Sequence, residues 1–268
     1  GMRFWSAYAE PSCTPSRIAI NTGRHPVRTG LLSVLWPGQT DGLSGKEVTV
    51  AEVLSEAGYS TAMWGKWHLG EEPEHAPENQ GFDQSYYGLW NGAPYAWPDS
   101  AEMHNGKSPP GSAMFFDFPG NEEYEEKTGI SIRRGFCQGV KGQPRKYLDF
   151  PTTQKGLADY EQECAEQIVG YIKNKAKSDK PFFVYWPTFT QQVAGVPEYE
   201  QRPYVDSRNN QASFMARHND HMKQIFETLT REGIAENTLV VWISDNGPMY
   251  GFWPIAGYTW LRGEKGKV

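Results

Sequence analysis

Apolar and polar positions along the chain fall into blocks that fit helices and short strands in turn. Thr14-Pro15 ahead of Ser16 to Thr22, with Gly23 behind, predicts a helix with Thr14 as N-cap, proline in the first turn and glycine as the stop. Thr49-Val50-Ala51-Glu52 has capping-box spacing before Val53, Leu54 and Ala57, and Gly58 closes that short amphipathic helix. The run Tyr59 to Trp67, rich in β-branched, aromatic and apolar residues after a glycine break, predicts a strand. From Glu71 to Pro151 the periodicity fades among Pro, Gly, Trp and Tyr, so long loops carrying short elements are expected there, able to shape a cleft. Helical spacing returns over Lys155 to Lys175 through Ala158, Cys164, Ile168, Val169 and Ile172, and a buried strand at Phe182 to Trp186 follows. The alternation repeats with a helix over Ala212 to Arg231 and a strand at Thr238 to Ile243.

Helix and strand in alternation define an α/β fold, a largely parallel central sheet with helices on both faces. Ligands of such sheets bind beyond the carboxyl ends of the strands. Composition narrows the function. The 268 residues carry 26 Lys+Arg against 32 Asp+Glu with no concentrated basic block, which gives nonspecific nucleic-acid binding little electrostatic support. No apolar stretch approaches the roughly 18 residues of a membrane span. Three cysteines, Cys13, Cys137 and Cys164, are too scattered for a disulfide framework, and no CxxC pair suggests zinc. The opening Gly1-Met2-Arg3 is not a leader, and a chain that begins with glycine is expected to be part of a longer one.

Three clusters carry candidate chemistry. Cys13 lies just before a helix N-terminus, where the dipole and free amides favour an anion, and Arg17 can project from the first turn toward the same place. Lys66 and His68, two apart at a strand end, share a face, so an ammonium and an imidazole can converge on one ligand. Asp245 and Asn246 follow an apolar strand and offer hard oxygen ligands for calcium or magnesium. Each has a plainer reading: an inert cysteine beside a cap, a surface arginine, a solvated lysine with a packed histidine, and an Asp-Asn-Gly-Pro turn. His218 and His221 sit on the predicted helix and read as structural or exposed.

The run Cys13-Thr14-Pro15-Ser16-Arg17, continuing to Thr22-Gly23-Arg24, resembles the signature of the type I sulfatases, formylglycine-dependent hydrolases of the alkaline phosphatase superfamily. The resemblance extends through Gly1-Met2-Arg3-Phe4, Ala7-Tyr8-Ala9, Gly58-Tyr59-Ser60-Thr61, Gly65-Lys66-Trp67-His68-Leu69-Gly70, Ser244-Asp245-Asn246-Gly247-Pro248 and Arg262-Gly263-Glu264-Lys265-Gly266, in family order. It implies hydrolysis of a sulfate monoester by a formylglycine hydrate made from Cys13 by a maturation enzyme. It also implies that Arg17, Lys66 and Lys265 surround the sulfate and that His68 supports the hydrate as proton acceptor or hydrogen-bond partner. Asp245 and Asn246 would ligate calcium, with magnesium as the alternative. Without the resemblance Lys265 is one more exposed charge in a glycine-rich tail. The chemistry favours the modification, because a thiolate attacking sulfur would leave a stable sulfur-linked product, whereas a hydrate has a second hydroxyl whose collapse expels sulfate. The implied compartment is periplasmic, secreted or lysosomal. With 10 Trp and 14 Tyr, and Trp90 to Trp97 as a candidate stacking segment, the chain leans toward a sulfated glycan over a small aryl ester.

The chain departs from the family pattern in two places. It has no Asp-Asp pair, which normally precedes the signature cysteine and supplies two more metal ligands. The segment Pro187 to Val193 has Gln191 and Gln192 but no His where the family has one that assists the leaving oxygen, a loss worth about 10²–10⁴ in rate. Residues 1–268 are therefore expected to be a catalytic-domain fragment truncated at both ends, lacking the strand with the metal ligands and a C-terminal subdomain. A phosphoester or phosphonate ester hydrolase of the same superfamily, and a noncatalytic sulfated-glycan-binding domain, are the alternatives.

Overall fold

The computed structural model describes residues 1–36, 39–91, 135–148, 154–189, 210–249 and 263–267. Helix α1 spans Cys13–Thr22 and ends on Gly23 at φ 67, whose left-handed backbone brings its amide to the Ala19 carbonyl. The N-cap is Ser12, not Thr14, so Cys13 is the first helical residue. Thr14 turns inward instead, donating to the His68 carbonyl at 3.0 Å and accepting from the Leu35 amide at 3.3 Å. Helix α2, Val50–Glu56, opens with the expected capping box: Thr49 Oγ1 accepts the Glu52 amide at 3.1 Å, and the Glu52 carboxylate accepts the Thr49 amide at 2.7 Å.

Five strands, β1 (Ser60–Lys66), β2 (Gln84–Gly88), β3 (Phe136–Val140), β4 (Lys146–Leu148) and β5 (Phe182–Tyr185), form one sheet in the order β4-β3-β2-β1-β5. The centre is parallel as expected, with β1 pairing β2 and β5, while β3 and β4 add an antiparallel edge. All seven residues of β1 are buried, because both faces of this strand are covered. Helix α3 (Gln154–Lys175) covers one face, where Trp64 Nε1 donates to Gln167 Oε1 at 2.9 Å, and packs on α4 (Asn210–Arg231). On the other face the Thr61 hydroxyl donates to the Gly81 carbonyl at 2.7 Å, and a Cβ on Gly81 would collide with the backbone of α2 at Glu52. Met63, Trp67, Phe82, Tyr87, Phe136 and Tyr160 fill the core between these layers.

The expected strand at Thr238 to Ile243 does not form among the described residues. The segment leaves α4 through a short 3-10 turn and pairs with no described strand, and Leu239 is 89% and Trp242 67% exposed. Apolar, β-branched composition marks a segment fit for a sheet interior, but a strand exists only where a neighbour accepts its amides. Its far end is nevertheless anchored: residues 263–267 lie against it, with the Lys265 amide donating to the Pro248 carbonyl at 2.9 Å and the Gly266 amide to the Pro11 carbonyl at 2.7 Å. Gly247 allows that approach, since a Cβ there would overlap the Gly263 carbonyl oxygen. The end of β1, the start of α1 and two distant segments thus converge. Among the described residues no helix is long and apolar enough to cross a membrane.

Candidate active site

Lys66 closes β1, and its backbone is tightly held. Gly65 has φ 104, and a Cβ on it would run into the Pro187 carbonyl oxygen, which accepts the Lys66 amide at 2.6 Å. Beyond the strand, Trp67 and His68 donate to the carbonyls of Gly88 and Leu89 at 2.8 and 3.1 Å. His68 then adopts φ 61, a left-handed conformation that a non-glycine residue holds only under constraint. The alternation expected to set Lys66 and His68 on one face ends with β1, and the left-handed turn redirects the ring. Its Nε2 lies 2.8 Å from the Leu35 carbonyl, and its Nδ1 is buried with no hydrogen-bond partner among the described residues.

The thiol of Cys13 is buried at the head of α1, and Lys265 Nζ donates to its Sγ at 2.8 Å. Arg17, one turn along the helix, donates through Nη2 to Asp245 Oδ2 at 2.7 Å and through Nη1 to the Lys66 carbonyl at 2.5 Å. Lys66 Nζ is buried 3.9 Å from the same Asp245 oxygen and makes no hydrogen bond among the described residues. Three cations and one carboxylate therefore enclose the thiol, with a surplus of positive charge suited to a doubly charged tetrahedral anion. Two of these links, Lys265 to Cys13 and Arg17 to Asp245, join residues 252 and 228 apart in sequence.

The titration behaviour follows from this enclosure. Burial pushes the Cys13 thiol up, but Lys66, then Lys265 and Arg17, outweigh it and leave the thiol below its ordinary value. Burial also dominates at Lys66, which falls from 10.5 to about 8 with Cys13 and Asp245 opposing and Arg17 and Lys265 assisting. At Asp245 the Arg17 and Lys66 charges overcome burial and hold the carboxyl well below the usual range. His68 is driven well below 6.5 by burial and then by Lys66 and Arg17, so it stays neutral and resists taking up a proton, and its role is that of a hydrogen-bond partner.

The two sequence candidates for a metal differ in their surroundings, Asp245 Oδ2 accepting from Arg17 at 2.7 Å. Asn246 Oδ1 is buried with no hydrogen-bond partner, as suits an oxygen awaiting a cation, and Asp245 is adjacent. Among the described residues no group of three or more His, Cys, Asp or Glu side chains gathers to hold a metal. Two oxygens fit a hard divalent ion, yet fall well short of the six to eight that calcium takes.

Residues 1–267 match the family model for sulfatases. The chain belongs to the sulfatase family. Among curated sulfatases it is 29% identical over 259 residues to the N-acetylgalactosamine-6-sulfatase of Canis lupus familiaris, covering 92% of this chain and 43% of that protein. It is 31% identical over 264 residues to an arylsulfatase of Hemicentrotus pulcherrimus, covering 92% and 41%. A crystal structure of the PsFucS1 sulfatase from Pseudoalteromonas sp. superposes with a TM-score of 0.78 at 28% identity, covering 96% of this chain and 50% of that one. The chain spans less than half the length of these curated relatives. Membership in the sulfatase family implies, in general terms, a formylglycine and a divalent cation.

The sulfatase motif residues thus meet in space. Cys13, Arg17, Lys66, Asp245 and Lys265 are linked by direct contacts, while His68 joins through Thr14 and Leu35, and Asn246 through its neighbour. Trp90 is not a sugar platform: it is buried, and its indole donates to Glu71 Oε2 at 2.9 Å. Trp97, Gln191 and Gln192 lie outside the described residues. His218 and His221 are buried and structural, His218 accepting from Trp242 Nε1 at 3.3 Å and His221 meeting Gln162 Oε1 at 3.0 Å. The cysteines Cys137 and Cys164 are buried and outside any disulfide. Sequence reasoning missed Thr14, whose motif position was its only signal. It also missed Tyr160 and Glu161, polar groups on the buried stripe of α3.

Proposed function

We propose that this chain carries the nucleophile and the sulfate-binding groups of an enzyme that hydrolyses sulfate monoesters, with Cys13 acting after conversion to formylglycine by a maturation enzyme. The observation that carries the reading is the convergence of Arg17, Lys66 and Lys265 on Cys13, from three parts of the chain, with one carboxylate among them. One hydroxyl of a formylglycine hydrate would attack sulfur as the S–O bond to the ester's alcohol breaks and the alcohol departs; the second would expel sulfate as the carbonyl re-forms, and water then adds to the aldehyde, so no water need attack sulfur.

The chain's own residues provide the remainder. Lys265 already contacts the side-chain atom at position 13 and would hold a hydroxyl there as its alkoxide. The unpartnered ammonium of Lys66 is placed to bind a sulfate oxygen, and Arg17 sets both the Lys66 carbonyl and Asp245. Neutral His68 would support the hydrate as a hydrogen-bond partner, offering its Nδ1 lone pair to a hydroxyl. Asp245 and Asn246 would hold the divalent ion, calcium by preference for oxygen donors, whose charge would offset that of the sulfate oxygens.

A sulfated glycan is the proposed substrate and an exported or lysosomal site the proposed compartment. The substrate reading is supported by relatives whose names specify N-acetylgalactosamine-6-sulfatase activity, and the compartment follows only from the family resemblance. The test uses the complete protein made with a formylglycine-generating enzyme. Peptide mass spectrometry should find the aldehyde at position 13, sulfate should be released from sulfated sugars, and Cys13→Ala should abolish that release. An unmodified thiol in every preparation, or turnover undiminished in Cys13→Ala, defeats the proposal. Faster hydrolysis of phosphate esters in parallel assays would move the activity to phosphoryl chemistry.

A further inference from the structure

Helix α3 carries a buried carboxylate that the chemistry above does not use. Glu161 is 1% exposed, on the stripe of α3 that includes Leu157, Cys164 and Ala165. One oxygen, Oε1, accepts the Phe189 amide at 2.9 Å, and the other, Oε2, is buried without a hydrogen-bond partner among the described residues. Burial pushes the carboxyl up to about 7, against the Phe189 amide and the Arg217 charge from α4. A carboxylate in such a place is costly, and an apolar residue would fill the stripe without that cost.

What Glu161 holds is the backbone beside Lys66. Phe189 stands two residues beyond Pro187, whose carbonyl accepts the Lys66 amide at 2.6 Å and against which Gly65 packs with no room for a side chain. The preceding residue of α3 grips the other side of the same peptide: Tyr160 Oη donates to the Tyr86 carbonyl at 2.8 Å and reaches the Gly65 carbonyl at 3.4 Å. Consecutive side chains of one helix therefore clamp the end of β1, Tyr160 directly and Glu161 through the segment 187–189. We propose that Glu161 is a positioning residue for sulfate binding, which fixes the Lys66 ammonium by anchoring the Phe189 amide and touches no substrate itself. The inference rests on the assignment of Lys66 to sulfate.

The test compares the complete wild-type protein with Glu161→Gln and Glu161→Met. Glutamine keeps an acceptor for the Phe189 amide, and methionine keeps the volume without one. Amide hydrogen exchange at Phe189 and Lys66 is read with melting temperature and with kcat and KM for a sulfate ester. Glu161→Met should speed exchange at both amides about tenfold and lower kcat/KM by about 10- to 100-fold, as a misplacement of about 1 Å does. Glu161→Gln should stay within about threefold of wild type in every readout. Unchanged Lys66 exchange in Glu161→Met overturns the inference, as does a Glu161→Gln protein that unfolds or matches the methionine variant. Exchange needs no turnover, so a protein with the expected exchange pattern but no sulfate release refutes the sulfatase reading alone.

Discussion

Replacing Lys66 with methionine separates the fold's interest from that of the anion site. The ammonium is fully buried, makes no hydrogen bond, and has its nearest carboxylate oxygen 3.9 Å away. Burial, the largest influence, takes its pKa from 10.5 to about 8. At about 1.4 kcal/mol per pH unit, that gap means that keeping the charge at pH 7 costs the folded protein about 3 kcal/mol. Methionine fills a similar volume without charge, so the variant should unfold several degrees higher, at about 2–4 °C per kcal/mol for a protein of this size. Sulfate ester turnover should fall about 10²–10³-fold through loss of a preorganised cation. The sign of the pH dependence follows. Between about 8 and 10.5 the unfolded chain still holds a proton that the folded one has released, so wild-type stability gains a rising contribution there that Lys66→Met lacks. Calorimetry from pH 7 to 10 and initial-rate assays read both effects. A methionine variant that melts lower than wild type, or that keeps wild-type turnover, would refute the reasoning.

Arg17→Met should have the opposite effect on stability, a loss of about 1–3 kcal/mol in urea denaturation at pH 7, because it removes the charge-assisted hydrogen bond held by the half-buried Asp245 carboxylate. Since Arg17 and Lys66 hold the Asp245 carboxyl below its ordinary value, that contribution is present above the usual carboxylate range and fades only as pH falls through the lowered one; equal losses at pH 7 and in strong acid would contradict it. Gly65→Ala should cost more than about 3 kcal/mol, given φ 104 and the Pro187 carbonyl in its way; a variant as stable as wild type would show that the contact does not exist. Inhibition by inorganic sulfate should weaken by about tenfold per pH unit above about 8, as Lys66 in the free protein loses its proton; a flat profile to pH 10 would remove Lys66 from the sulfate site.

Local signals were legible where a short-range rule decides the outcome. Thr49 and Glu52 formed their reciprocal cap, Gly23 ended α1, and the apolar spacing of Ala158, Cys164, Ile168 and Ile172 marked α3 correctly. Failures came where the outcome depends on distant groups. Thr238 to Ile243 has strand composition without a ladder, since composition does not say whether a neighbour will be there. β2 is a five-residue strand with two tyrosines after a glycine turn, and nothing in it announces that it lies next to β1. Within the site, motif residues identified Cys13, Arg17, Lys66, Asp245 and Lys265, but not their arrangement. Spacing placed His68 beside Lys66 by strand alternation, whereas a left-handed turn sets its ring against Leu35. Glu161 left a trace, a carboxylate among apolar neighbours at helical spacing, which amphipathicity alone does not interpret.

The span between Cys13 and Lys265 has a kinetic consequence. A ribosome adding about 5–20 residues per second needs roughly 10–50 s to cover the 252 positions that separate them. Throughout that interval the nascent thiol lacks its ammonium neighbour and the walls that later enclose it. On the proposed function, an enzyme modifying residue 13 would have its opportunity then, and the docking of residues 263–267 beside α1 would end it.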